Sequence, residues 1–269
     1  MTTILQDGLP VAPWMAEHTL RLPGTVPVAL ADWLQRDERF AEQMAARDYL
    51  IAERPAAVHA VADGARPAAA ELLALVLAHL EGVPGYTREG GAMRRPDGIL
   101  VPLDGEPLVV AGRLVQEDLV ILERPEGAEE HVLTGAILCF PSNWTLAEKF
   151  GKGLVRIHLP IERYDAGVAR RVQRLFDAIR PEAPIMRTNL LLYSDPALFN
   201  PRHEFARHTP DPGAAEFVRV ERQTILRLPA TRAVVFSIHT YMVRPESLTP
   251  EQRAKLAEVR PDAFAAEGA

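Results

Sequence analysis

From Gly98 onward the apolar residues of this chain recur at every second position, and that change of period decides what it can fold into. The runs GILVPLD and PLVVAG read as a hairpin across Gly105. LVQEDLVIL and HVLTGAILCF supply two further strands around a polar loop at 123 to 130. GLVRIHLP reads as another extended apolar run. Helix AGVARRVQRLFDAIR, capped by Asp165 and ended before Pro181, is followed by strand IMRTNLLLYS and a Pro- and His-containing loop to about residue 216. The runs ERQTILRLP and RAVVFSIHTYMV then make a closing hairpin through Ala230 and Thr231, and Thr249 with Pro250 starts a terminal helix.

Ahead of Gly98 the period is helical. Leu34, Phe40, Met44 and Tyr49 mark an amphipathic helix over 31 to 52 that Asp32 can cap, and a second, largely buried helix over 67 to 80 starts at Pro67 and stops at Gly82. The glycines at 82, 85, 90 and 91 read as a connector. Residues 1 to 30 carry Pro10, Pro13, Pro23 and Pro27, too many for a helix, and predict an extended arm docked on the domain. The order helices, strands, one helix, strands, helix lacks the regular alternation of a doubly wound sheet. It predicts an α+β fold: an antiparallel sheet with flanking helices and an N-terminal helical cap, one domain over 31 to 269 behind the arm.

At 48% hydrophobic and 25% charged, the 269 residues match a soluble globular chain, and the net charge of −6 argues against binding a phosphate backbone. The single Cys139 excludes an intramolecular disulfide framework and an all-cysteine iron–sulfur cluster, and fits a reducing cytoplasm. No apolar run approaches the roughly 18 residues of a membrane span, and the first thirty residues do not read as a signal peptide.

Glu117 and Asp118 interrupt apolar rows of their predicted strand. A charge there costs several kcal/mol unless a cation or hydrogen-bond donors meet it. They either face a cationic ligand or pair with Arg187, Arg222 or another internal arginine, and Arg187 and Arg222 can in turn fork a ligand acid group. Lys149, on the short turn after Trp144, is either solvated or an anion contact. Three histidine sites compete as metal ligands. One is His158, read as a strand residue pointing with Leu154 and Arg156; another is His239 in VFSIHTY. The third is the pair His203 and His208, which lacks the four-residue spacing of zinc proteases.

The strings VQEDLVIL, LTGAILCFPSNWTLAEKFGKGLVRIHLPI, RTNLLLY and ERQTILRLPATRAVVFSIHTY, in that order, resemble the heme-dependent oxidative N-demethylase alpha-subunit-like family, the likeness covering roughly residues 30 to 250. That resemblance implies a PAS-like (Per-ARNT-Sim) domain binding heme b, and demethylation of a dimethylamine-like secondary amine with O2. Electrons would come from NADPH through separate flavin and iron–sulfur reductase subunits. It makes His158 the leading iron ligand and Trp144 part of the cofactor-binding corner. Lys149, Arg187 and Arg222 become contacts for the heme propionates, and Glu117 or Asp118 the catalytic carboxylate that polarises the pocket or holds the alkylammonium. A heme-based gas sensor and a binding protein without turnover are the alternatives. At one position the chain departs from the resemblance: His239 stands where an arginine is expected.

Overall fold

The computed structural model of the chain describes residues 3–20, 23–159, 166–204, 206 and 215–261. Its helices are α1 (Glu17–Leu20), α2 (Phe40–Glu53), α3 (Pro55–Val58), α4 (Arg66–Leu80), α5 (Pro107–Gly112), α6 (Leu146–Lys149), α7 (Leu154–His158), α8 (Ala166–Ala178) and α9 (Pro250–Val259). Its strands are β1 (Val26–Pro27), β2 (His59–Val61), β3 (Thr87–Glu89), β4 (Ala92–Arg94), β5 (Leu100–Pro102), β6 (Asp118–Glu123), β7 (Val132–Ile137), β8 (Ile185–Tyr193), β9 (Phe217–Arg227) and β10 (Val234–Val243). Seven strands form one antiparallel sheet in the order β1-β8-β9-β10-β6-β7-β2, and β3, β4 and β5 form a small sheet of their own. An antiparallel sheet with flanking helices is the fold the sequence predicts. Among the described residues no helix is long and apolar enough to cross a membrane.

Strand register sorts side chains between two faces, because alternate residues point opposite ways. Arg187 lies opposite Gln223 and Asn189 opposite Glu221, while Gln223 faces Ile238 and Glu221 faces Thr240; these residues share what we call the inner face. Arg222 lies opposite His239 and Thr188, on the outer face. Inner-face Val120, Leu122, Ile225, Val234 and Phe236 pack with Leu146 of α6, Leu154 and Ile157 of α7 and Phe176 of α8. Outer-face Leu119, Ile121, Leu226 and Val235 pack with Leu50 of α2, Leu72 and Val76 of α4 and Leu108 of α5. Each such side chain, removed from water, contributes about 1.5–3 kcal/mol.

The amino-terminal arm is docked but not extended throughout: a 3-10 turn over Pro13–Met15 and α1 over Glu17–Leu20 interrupt it. Leu9 and Trp14 are buried against Val218, Tyr241 and Leu256, and the Trp14 indole donates to the Gln252 carbonyl at 2.7 Å. Gln6 continues the sheet where β6 has not yet begun: its backbone N–H donates to the Met242 carbonyl and its side-chain oxygen accepts from the Met242 N–H.

Four local expectations need correction. PLVVAG is helix α5 and not a strand, since Glu106 caps it by accepting from the Val109 N–H and Pro107 occupies its first turn. GLVRIHLP is helix α7 up to His158: Leu154 and Ile157, three apart, are the buried pair, whereas Val155 is half exposed. The helix expected from residue 31 begins at Phe40, and Asp32 sits in a separate 3-10 turn without capping it. The glycine connector contains β3 and the turn into β4. At the carboxyl end Thr249 does cap α9, in a reciprocal capping box with Gln252. Asp165, His208 and the chain after residue 261 lie outside the described residues.

Candidate functional site

Helix α7 brings His158 to the inner face of the sheet. Its Nδ1 donates to the Leu154 carbonyl one turn back, at 2.8 Å, which fixes the tautomer and places the lone pair on Nε2. Burial lowers the imidazole pKa to about 4, and the positive charges of Lys149 and Arg187 push in the same direction against the opposing carbonyl bond. The ring is therefore neutral at physiological pH. Lys149, at the end of α6, lies with Nζ 4.8 Å from the centre of the Trp144 ring, and Trp144 packs on the same apolar cluster as Leu154 and Ile157. Four sequence-predicted residues, His158, Lys149, Trp144 and Arg187, are thus neighbours.

Arg187 lies in a belt of polar side chains on β8 and β9. Its Nη1 donates to Gln223 at 3.2 Å, and its buried Nε has no partner among the described residues. Burial lowers its pKa, and Glu221 is close enough to act in the opposite sense. Glu221 is itself fully engaged: Arg219 donates to one carboxylate oxygen, and Asn189 and Gln223 donate to the other at 2.9 and 3.0 Å.

The remaining predicted residues are elsewhere. Glu117 accepts from the Gln35 N–H at 2.6 Å and contacts His239 Nδ1 at 3.2 Å on the outer face, so the sheet separates it from Arg187. His239 Nε2 meets Asp37 at 3.1 Å. Burial opposes a charge on this imidazole, yet its hydrogen bonds to Asp37 and Glu117, with their negative charges, raise its pKa to about 9, while Asp37 is lowered to about 2. A protonated ring with both nitrogens donating has no lone pair for a metal, which leaves His158 as the better ligand of the two.

Asp118 belongs to the inner-face row by register, but its carboxylate accepts from Arg47 at 2.7 Å and from the N–H groups of Cys139 and Phe140. Burial raises its pKa, and the Arg47 charge together with these hydrogen bonds opposes that shift within a fully buried ion pair. That is the internal-arginine alternative, with Arg47 in place of Arg187 or Arg222. Arg222 donates to the carbonyls of Asp32 and Trp33 on the outer face and is not brought to His158. His203 is exposed and contacts Glu148.

Sequence reasoning missed Asp37, Gln223 and Glu221. The spacing Glu221-x-Gln223, one strand face apart and opposite Asn189 and Arg187, was a signal that period-two reading could have used. Asp37 gave none, because its partner is 202 residues away.

The family model described as haem-dependent oxidative N-demethylase, alpha subunit-like, matches residues 24–261, nearly the whole chain, and the protein belongs to that family.

Proposed function

We propose that the inner face binds heme b through His158 and that the loaded chain carries out oxidative N-demethylation of a small secondary amine of the dimethylamine type. O2 is the oxidant, and electrons come from NADPH through separate flavin and iron–sulfur subunits. In that reaction one oxygen atom leaves in formaldehyde and the other in water, with two electrons and two protons delivered by the reductase.

The observation that carries this reading is the His158 side chain, neutral, with its Nδ1 proton anchored on the Leu154 carbonyl. Metal-ligating histidines are held in this way, and the anchor also makes the ring a better donor. The surroundings fit the group. Lys149 and Arg187 bring two positive charges beside His158, matching two propionates, and the buried Arg187 Nε has no partner among the described residues. Trp144, Leu154, Ile157 and Phe236 offer an apolar wall. Heme held there would supply dioxygen activation and accept electrons singly. The chain's own residues hold it, exclude water and fix its orientation. The resemblance also implies a PAS-like layer, and helices α6 to α8 laid across one face of an antiparallel sheet support it.

Reconstitution with hemin is the test. The wild type should develop a Soret band, His158→Ala should lose or shift it with recovery on adding imidazole, and His239→Ala should leave its position unchanged. With a chemical or enzymatic reductant, dimethylamine should yield formaldehyde. A Soret band indifferent to His158→Ala refutes the ligand. Tight carbon monoxide binding without formaldehyde would favour a sensor.

A further inference from the structure

Of the inner-face arginines, Arg219 is matched by Glu221 and Arg227 donates to the carbonyls of Ile179, Phe176 and Arg232, but Arg187 meets no carboxylate by hydrogen bond or ion pair among the described residues. A carboxylate is nearby all the same. Glu221 stands two residues along β9 from Gln223, the residue opposite Arg187. Gln223 lies between them, with its carbonyl oxygen toward Arg187 at 3.2 Å and its amide nitrogen toward Glu221 at 3.0 Å.

We propose that Gln223 is a positioning residue, a neutral spacer that keeps Arg187 from pairing with Glu221 and so reserves the Arg187 guanidinium for a carboxylate-bearing ligand. The inference rests on the heme reading and goes beyond it in assigning Gln223 and Glu221. The argument is one of capacity. A carboxylate has about four lone-pair sites, and Arg219, Asn189 and Gln223 fill those of Glu221. Gln223 contributes one of these donors while presenting Arg187 only a neutral acceptor. Among the described residues Arg187 is held by one hydrogen bond, with its Nε edge unmatched. A buried guanidinium in this condition is costly without an anion and favourable with one. The carboxylate could be a propionate of the heme or a small free anion, and the two are separable.

Apo-protein is titrated with hemin and with hemin dimethyl ester, whose propionates carry no charge, and heme-loaded protein is titrated with formate. Gln223→Glu gives Arg187 a permanent partner. If the ligand is a propionate, this variant should weaken hemin binding at least about tenfold, as expected for a charged hydrogen bond, and leave the ester almost unaffected. Gln223→Met, which frees a lone pair of Glu221 for Arg187 without adding charge, should weaken hemin binding in the same sense but by less, and leave the ester almost unaffected. Arg187→Met should match Gln223→Glu, so the test survives if the glutamate variant does not fold. If hemin and ester respond alike but formate binding weakens at least tenfold in Gln223→Glu, the spacer role stands and the anion is exogenous. Unchanged hemin and formate binding in both Gln223→Glu and Arg187→Met overturns the inference. A wild type that takes up no hemin overturns the proposed function, and this with it.

Discussion

Replacing His239 tests the outer-face cluster most directly. In the wild type its pKa is raised from the ordinary 6.5 to about 9 on folding. A raised cation contributes stability that is complete below the unfolded value and is lost as pH rises through the folded one. At about 1.4 kcal/mol per unit, the wild type should lose about 3 kcal/mol between about pH 6 and pH 9.5. Asp37, lowered to about 2, contributes in the opposite window: its share is complete above the ordinary 3.8 and is lost as pH falls through 2. His239→Gln leaves Asp37 and Glu117 facing each other without a cation, at a cost of about 3–5 kcal/mol at neutral pH, and reverses the slope, because acid now relieves the carboxylates. His239→Arg keeps the charge at every accessible pH and should flatten the alkaline limb. Urea unfolding at about pH 6, 7, 8 and 9.5 reads all three curves. A wild-type midpoint that does not move across that range, or one that moves identically in His239→Arg, would show that His239 is not the titrating group.

Three further outcomes follow from the geometry. Heme uptake needs neutral His158, so it should hold through neutral pH and fail only as pH falls through about 4, followed by the Soret band in an acid titration. Asp118→Asn strands the buried Arg47 charge and should cost about 3–5 kcal/mol, whereas adding Arg47→Met to it, which leaves an amide oxygen as acceptor for the Cys139 and Phe140 N–H groups, should recover part of the loss; equal losses in the two proteins would contradict a simple buried pair. Gly112→Ala drives a methyl into Ile137 Cγ1, where α5 packs on β7, and should lower stability by about 1–3 kcal/mol in thermal unfolding.

Much of the fold was legible wherever one signal dominated. The β9–β10 pair, α4 behind Pro67 and the Thr249 cap all rest on local chemistry. PLVVAG and GLVRIHLP were misread because short apolar runs fit either period. Glu106 and Pro107 settle the first as a helix start, and the Leu154–Ile157 spacing of three settles the second. The misreading of α7 left His158 on the list of ligands but gave the wrong reason for where it points. The site was legible in its residue types and not in its partners. Asp118 finds Arg47, 71 residues away, and Glu117 finds His239, 122 residues away. Such pairs are created by the sheet order, which no local pattern encodes.

That order has a consequence for how the chain is made. β10 lies in the middle of the seven-stranded sheet, hydrogen-bonded to β9 on one side and β6 on the other, yet it follows both in sequence. During synthesis the β6–β7 hairpin emerges with a bare, strongly apolar edge and must wait while α6 through β9 are translated before the strand that covers it exists. Gln6 has its docking position on Met242, 236 residues further along the chain. Such non-local closure is slow and exposes an open strand edge meanwhile. The strand order itself, and not any single weak contact, therefore predicts poor yield at high expression temperature, to be relieved by slower synthesis or by holdase chaperones.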